Sequence, residues 1–139
     1  MPVLLQHRIY RSDLQNNPDV LYLFGDNLQR KGYGGQAGEM RGEPNAVGVA
    51  TKRRPDMMTS TFFTDSDVQE FHHIVLKDLK RAVAHLNNGG TVVIPSDGLG
   101  TGLSELPQRA QSCNAILVVV LESLKTIKWE CGCEVPCRA

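Results

Sequence analysis

Apolar and polar residues divide this chain into runs of two kinds. Val20-Leu21-Tyr22-Leu23-Phe24 is apolar at every position and bounded by turn residues, the pattern of a strand buried on both faces of a sheet, with Gly25-Asp26-Asn27 as the loop that ends it. Asn45 to Ala50 reads as a second such strand, running into Thr51-Lys52-Arg53-Arg54-Pro55, and Thr91 to Pro95 as a third. Val3 to Tyr10 reads as an edge strand, and a polar connection containing Asn16, Asn17 and Pro18 follows from Asp13. From Val68 the period changes. Val68, Phe71, Val75, Leu79, Val83 and Leu86 recur at three- and four-residue intervals, which predicts one amphipathic helix opened by Thr64-Asp65-Ser66-Asp67 and closed by Asn87-Asn88-Gly89-Gly90. Gly38 to Arg41 suits a short helix, and Pro107 to Leu124 restores helical spacing. Strands alternating with helices predict an α/β fold, with helices flanking a mixed, mainly parallel sheet and room for one antiparallel edge strand.

Two of the predicted strands run into glycine-rich loops. Glycines 32, 34, 35 and 38 follow the first, and Asp97-Gly98-Leu99-Gly100-Thr101-Gly102 follows the Thr91–Pro95 strand. Each loop precedes a helical segment, which predicts backbone N–H groups and helix starts aimed at an anion, beyond the carboxyl ends of the strands. Neither loop has the P-loop order of glycine, lysine and hydroxyl, so triphosphate hydrolysis is disfavoured. Neither continues into the dinucleotide fingerprint. What these loops suit is a diphosphate held without magnesium.

Composition narrows the classes further. The chain has 139 residues, room for one domain, with 15 basic and 15 acidic side chains. That balance gives no overall field to attract nucleic acid, and none is expected as a partner. The longest apolar run, Ala115 to Leu121, is far shorter than the roughly 20 residues that cross a bilayer, so no membrane is expected and the chain is placed in the cytoplasm. Cys131, Cys133 and Cys137 fall in a tail, residues 129–139, beyond a domain at 1–128. Their spacing matches no usual structural zinc site, and no metal is assigned.

The ordered motifs resemble those of the macrodomain family. Tyr10-Arg11-Ser12-Asp13-Leu14, then Asp19 through Asn27, is similar to the macrodomain opening, and Ile94-Pro95 with Gly100-Thr101-Gly102-Leu103-Ser104-Glu105-Leu106-Pro107 is similar to its strand and second phosphate loop. The resemblance runs from residue 10 to 125 and implies a single macrodomain-like domain that binds ADP-ribose or ADP-ribosylated protein, with no cofactor. It implies that Asp13 accepts a hydrogen bond from the adenine amino group, and that Asp26 and Asn27 lie at the site, Asn27 near the distal ribose. Gly34, Gly35, Gln36 and Ala37 would line one side of the diphosphate, and Gly100, Thr101, Gly102, Leu103 and Ser104 the other.

Ala50-Thr51-Lys52-Arg53-Arg54 is similar to the strand end of the terminal ADP-ribose protein glycohydrolase branch. That likeness implies a hydrolase removing ADP-ribose from acidic side chains, with Lys52 as nucleophile and Asp97 or Glu105 as the carboxylate that moves the proton. Ser104 stands where that branch has an aspartate, and Ala37 stands near the position of the more familiar macrodomain aspartate. The alternative is a non-catalytic module that senses or sequesters ADP-ribose or a related NAD-derived nucleotide. Simpler readings accompany each residue: Asp13 as a helix cap, Lys52 to Arg54 as a solvated strand end, Asp97 and Glu105 as loop caps, and His72, His73 and His85 as surface or packing residues.

Overall fold

The computed structural model describes residues 3–127. The proposed cysteine tail lies outside the described residues. Four strands, β1 (Val3–Gln6), β2 (Val20–Asn27), β3 (Ala46–Lys52) and β4 (Thr91–Pro95), form one sheet in the order β1-β4-β2-β3. Every pairing is parallel, so the α/β expectation holds without an antiparallel edge. All the carboxyl ends therefore share one edge of the sheet.

Side-chain alternation explains why β2 and β4 are apolar throughout. Leu21 and Leu23 of β2, with Val92 and Ile94 of β4, enter a large core beneath one face. Tyr22, Phe24 and Val93 point the other way into a smaller core. The large core is covered by α3 (Val68–Asp78), α4 (Lys80–Asn87) and α6 (Gln111–Leu124), through Phe71, Val75, Leu86, Cys113 and Leu117. The smaller is covered by α1 (Arg11–Asn16) and α2 (Ala37–Met40), through Leu14, Ala37 and Met40. The single turn α5 (Leu106–Arg109) precedes α6.

The structure corrects several boundaries. The polar stretch at Asp13 is helix α1, with the Tyr10 N–H donating to the Asp13 carboxylate at 2.8 Å; at six residues it is too short to generate an apolar period. The helix expected from Val68 to Leu86 is two, meeting at Leu79, and their shared apolar stripe passes through the joint unbroken. At that joint Asp78 accepts the Ala50 N–H at 2.9 Å and an Arg30 N–H at 2.6 Å, which ties the helix pair to β3. Strand β2 does not stop at Phe24, nor β3 at Ala50. Gly25 pairs with Val49, Asp26 with Ala50 and Asn27 with Lys52 across a local irregularity. Polar residues expected in loops thus lie inside the sheet. His85 has a packing role, since its Nε2 donates to the Asp19 carbonyl at 3.0 Å and its ring occupies the space a side chain at Gly90 would need.

Candidate functional site

At the carboxyl edge of the sheet the two glycine loops face each other. The first hangs from β2 and the second from β4, and those strands are neighbours. Gln36 joins the loops: its Oε1 accepts the Gly25 N–H at 2.8 Å, and its Nε2 donates to the Gly98 carbonyl at 3.4 Å. Gly100 needs its glycine twice over, since its φ is +76° and an added Cβ would lie 3.1 Å from two carbons of Thr51. A cleft of about 190 Å³ lies between Gly34, Gly35 and Gln36 on one side and Gly100 to Ser104 on the other, with Asp97 also in its wall.

Hydrogen bonding shows what this cleft offers. In the second loop, Gly98 spends its N–H on the Pro95 carbonyl at the end of β4, and Glu105 and Leu106 spend theirs on the carbonyls of Gly102 and Gly100. The N–H groups of Gly100, Thr101, Gly102, Leu103 and Ser104 meet no acceptor among the described residues, and neither do those of Gly34 to Ala37 in the first. Helices α2 and α5 are each a single turn of four residues, so the donors are loop amides and not long helix dipoles as the sequence suggested.

A second compartment of about 70 Å³ adjoins this cleft and shares Gly25, Gly34, Leu103 and Ser104 with it. It is lined by Asp26, Asn27, Lys31, Arg41 and Lys52. Lys52 is not a solvated strand end. It is 5% exposed, and its Nζ donates to the carbonyls of Asp56 at 3.1 Å and Leu103 at 3.4 Å, beside Met57 Sδ at 3.6 Å. The ammonium also lies 5.5 Å from the centre of the Phe62 ring, whose environment includes the Arg109 guanidinium at 3.9 Å. Burial pushes Lys52 below its ordinary pKa, against opposing pulls from the charges of Asp56 and Glu105.

The two carboxylates proposed as its partner are not equivalent. Asp97 has a side chain 72% exposed, lies 3.8 Å from His7 Nδ1, and lines the cleft between the loops without lining the Lys52 compartment. Glu105 is the one whose charge reaches Lys52, although its carboxylate also accepts from Arg109 Nε at 2.8 Å. Ser104, standing where an aspartate was the comparison, shares a 2.6 Å hydrogen bond with the Thr51 hydroxyl.

Asp26 and Asn27 organise the inner compartment. The Asp26 carboxylate, 3% exposed, takes Arg41 at 2.5 Å, Arg30 at 3.6 Å and the Asn27 N–H at 2.8 Å. Arg41 in turn donates to the carbonyls of Gly32 at 2.7 Å and Lys31 at 3.2 Å, and Asn27 Nδ2 donates to the same Lys31 carbonyl at 2.8 Å. The first loop is thus held open by a buried ion pair. Asp13 lies away from both compartments in hydrogen-bonding terms: its Oδ2 takes Tyr10 N–H and Gln6 Nε2, while its Oδ1 accepts nothing among the described residues.

Arg41, Thr51 and Phe62 are site residues that the sequence did not single out. Only Arg41 had a local signal, a lone cation following a glycine loop. No helix of the described residues is long and apolar enough to cross a membrane. No curated protein and no solved structure matches the chain. Residues 4–119, which carry both loops and the Lys52 compartment, match a family of unknown function, DUF7831, and the chain belongs to that family.

Proposed function

We propose that this protein binds ADP-ribose across the two loops and removes it from acidic side chains of modified proteins. The observation that carries the reading is the pair of facing loops whose amides, at Gly34–Ala37 and Gly100–Ser104, have no acceptor among the described residues, beside a compartment holding a buried lysine. Unpaired amides on both sides of a cleft suit a diphosphate, and the adjoining compartment, with Asn27, Lys31 and Lys52 in its wall, offers hydrogen-bonding groups to the hydroxyls of the distal ribose. In the reaction the neutral Lys52 amine attacks the anomeric carbon. The C–N bond forms as the C–O bond to the acyl group breaks, the carboxylate of the target departs with the electron pair, and Glu105 accepts the amine proton. Water then attacks the same carbon as the C–N bond breaks; Glu105 gives its proton to the departing Lys52 amine and takes up the proton that the water loses. The proposed setting is the cytoplasm, with ADP-ribosylated protein as partner.

A second reading, binding without cleavage, is favoured by the two carbonyls that Lys52 already satisfies, because they hold it as an ammonium. Calorimetry with ADP-ribose, followed by incubation with glutamate-linked ADP-ribosylated protein, separates the two. Saturable binding with release that Lys52→Met abolishes supports the hydrolase. Binding without release leaves the sensor, and no binding of ADP-ribose by folded wild type overturns both.

A further inference from the structure

The Lys52 compartment opens beside three loops that carry exposed apolar side chains, of which the ligand reading uses only Leu103. Tyr33 is 70% exposed, Met57 53%, Met58 64% and Leu103 55%, although soluble surfaces seldom gather large apolar groups without a partner. They come from three separate loops, and those loops converge on this compartment. Met57 Sδ touches Lys52 Nζ at 3.6 Å, and Leu103 Cδ1 lies 3.0 Å from the place of a Cβ on Gly34. Lys31, exposed on the same wall, has no carboxylate within ion-pair distance of its amine among the described residues.

We infer that this rim binds the polypeptide that carries the ADP-ribose, so that protein-linked ADP-ribose is held more tightly than the free nucleotide. The inference rests on the proposed function. An acidic side chain esterified at the carbon that Lys52 reaches is only a few bonds from its own main chain, which would emerge past the Met57 thioether against Lys52 and the loop that carries Met57 and Met58. The apolar side chains there supply contact area to whatever sequence surrounds the modified residue, and Lys31 supplies attraction to acidic neighbours. Met58 and Tyr33 side chains do not form the walls of either compartment, so they separate polypeptide contacts from nucleotide contacts.

The test uses the full chain and two probes: free ADP-ribose, and an acidic peptide joined to ADP-ribose through a hydrolysis-resistant triazole. The expected result is that wild type binds the peptide conjugate about tenfold more tightly than the free nucleotide, and that the double variant Tyr33→Ser with Met58→Ser loses most of this advantage. Its affinity for free ADP-ribose and its Tm stay at the wild-type values. Equal affinity of wild type for the two probes overturns the inference alone, as does a variant that retains the peptide advantage or weakens both probes together. If folded wild type fails to bind free ADP-ribose, the functional reading falls and this inference with it.

Discussion

Replacing Arg41 with methionine tests whether the inner compartment is held by its buried ion pair. The substitution keeps the aliphatic stem but leaves the Asp26 carboxylate, only 3% exposed, with Arg30 at 3.6 Å and one backbone N–H. Removing one partner of a buried pair costs about 3 to 5 kcal/mol, and the residual Arg30 contact with the 14% exposure of Arg41 puts the expected loss at the lower end, about 3 kcal/mol. With 139 residues and an unfolding entropy on the order of 2 cal/mol/K per residue, that loss lowers Tm by about 10 °C. Asp26→Asn removes the charge that Arg41 leaves stranded, so the double variant is expected to be more stable than Arg41→Met alone, with a coupling of about 2 kcal/mol. Urea unfolding of the four proteins of the cycle measures it. Additive effects, or a loss under about 1 kcal/mol for Arg41→Met, would refute the claim that this pair is desolvated and structural.

Four other outcomes are expected. Gly100→Ala forces a side chain into left-handed backbone against Thr51, costing about 2 kcal/mol in urea unfolding and weakening any ligand of the second loop. Because Lys52 titrates below its ordinary 10.5 in the folded state, its burial penalty is full below that folded pKa and is relieved as pH rises towards 10.5, so wild type gains stability relative to Lys52→Met across that interval; Glu105→Gln removes a charge that opposes the shift, and amine-selective labelling against pH should show Lys52 titrating lower still. Cys113, buried and with its thiol pushed up to about 11, chiefly by desolvation, is expected to resist alkylation at pH 8 until the protein unfolds, as peptide mass mapping reports.

Where the sequence was legible, the signal was local. Apolar runs marked the centres of β2, β3 and β4, and the glycines marked both loops, because burial on two faces and left-handed backbone each leave a mark within a few residues. The ends of β2 and β3 were hidden because Asp26, Asn27, Thr51 and Lys52 are polar yet buried, and polarity ordinarily reads as loop. What makes their burial tolerable comes from elsewhere in the chain: Arg41 for Asp26, Ser104 for Thr51, the carbonyls of Asp56 and Leu103 for Lys52. The same dependence bears on the nucleophilic role proposed for Lys52. A lysine buried at a strand end is pushed towards the neutral amine, but each carbonyl that satisfies it stabilises the ammonium. A ligand that displaced the Leu103 carbonyl from Lys52 would remove one of those stabilising bonds while keeping the amine desolvated. On the proposed reading, an anion taken up by the Ser104 N–H would act on the Leu103 carbonyl through the peptide unit they share, so binding at that loop and activation of Lys52 would be coupled.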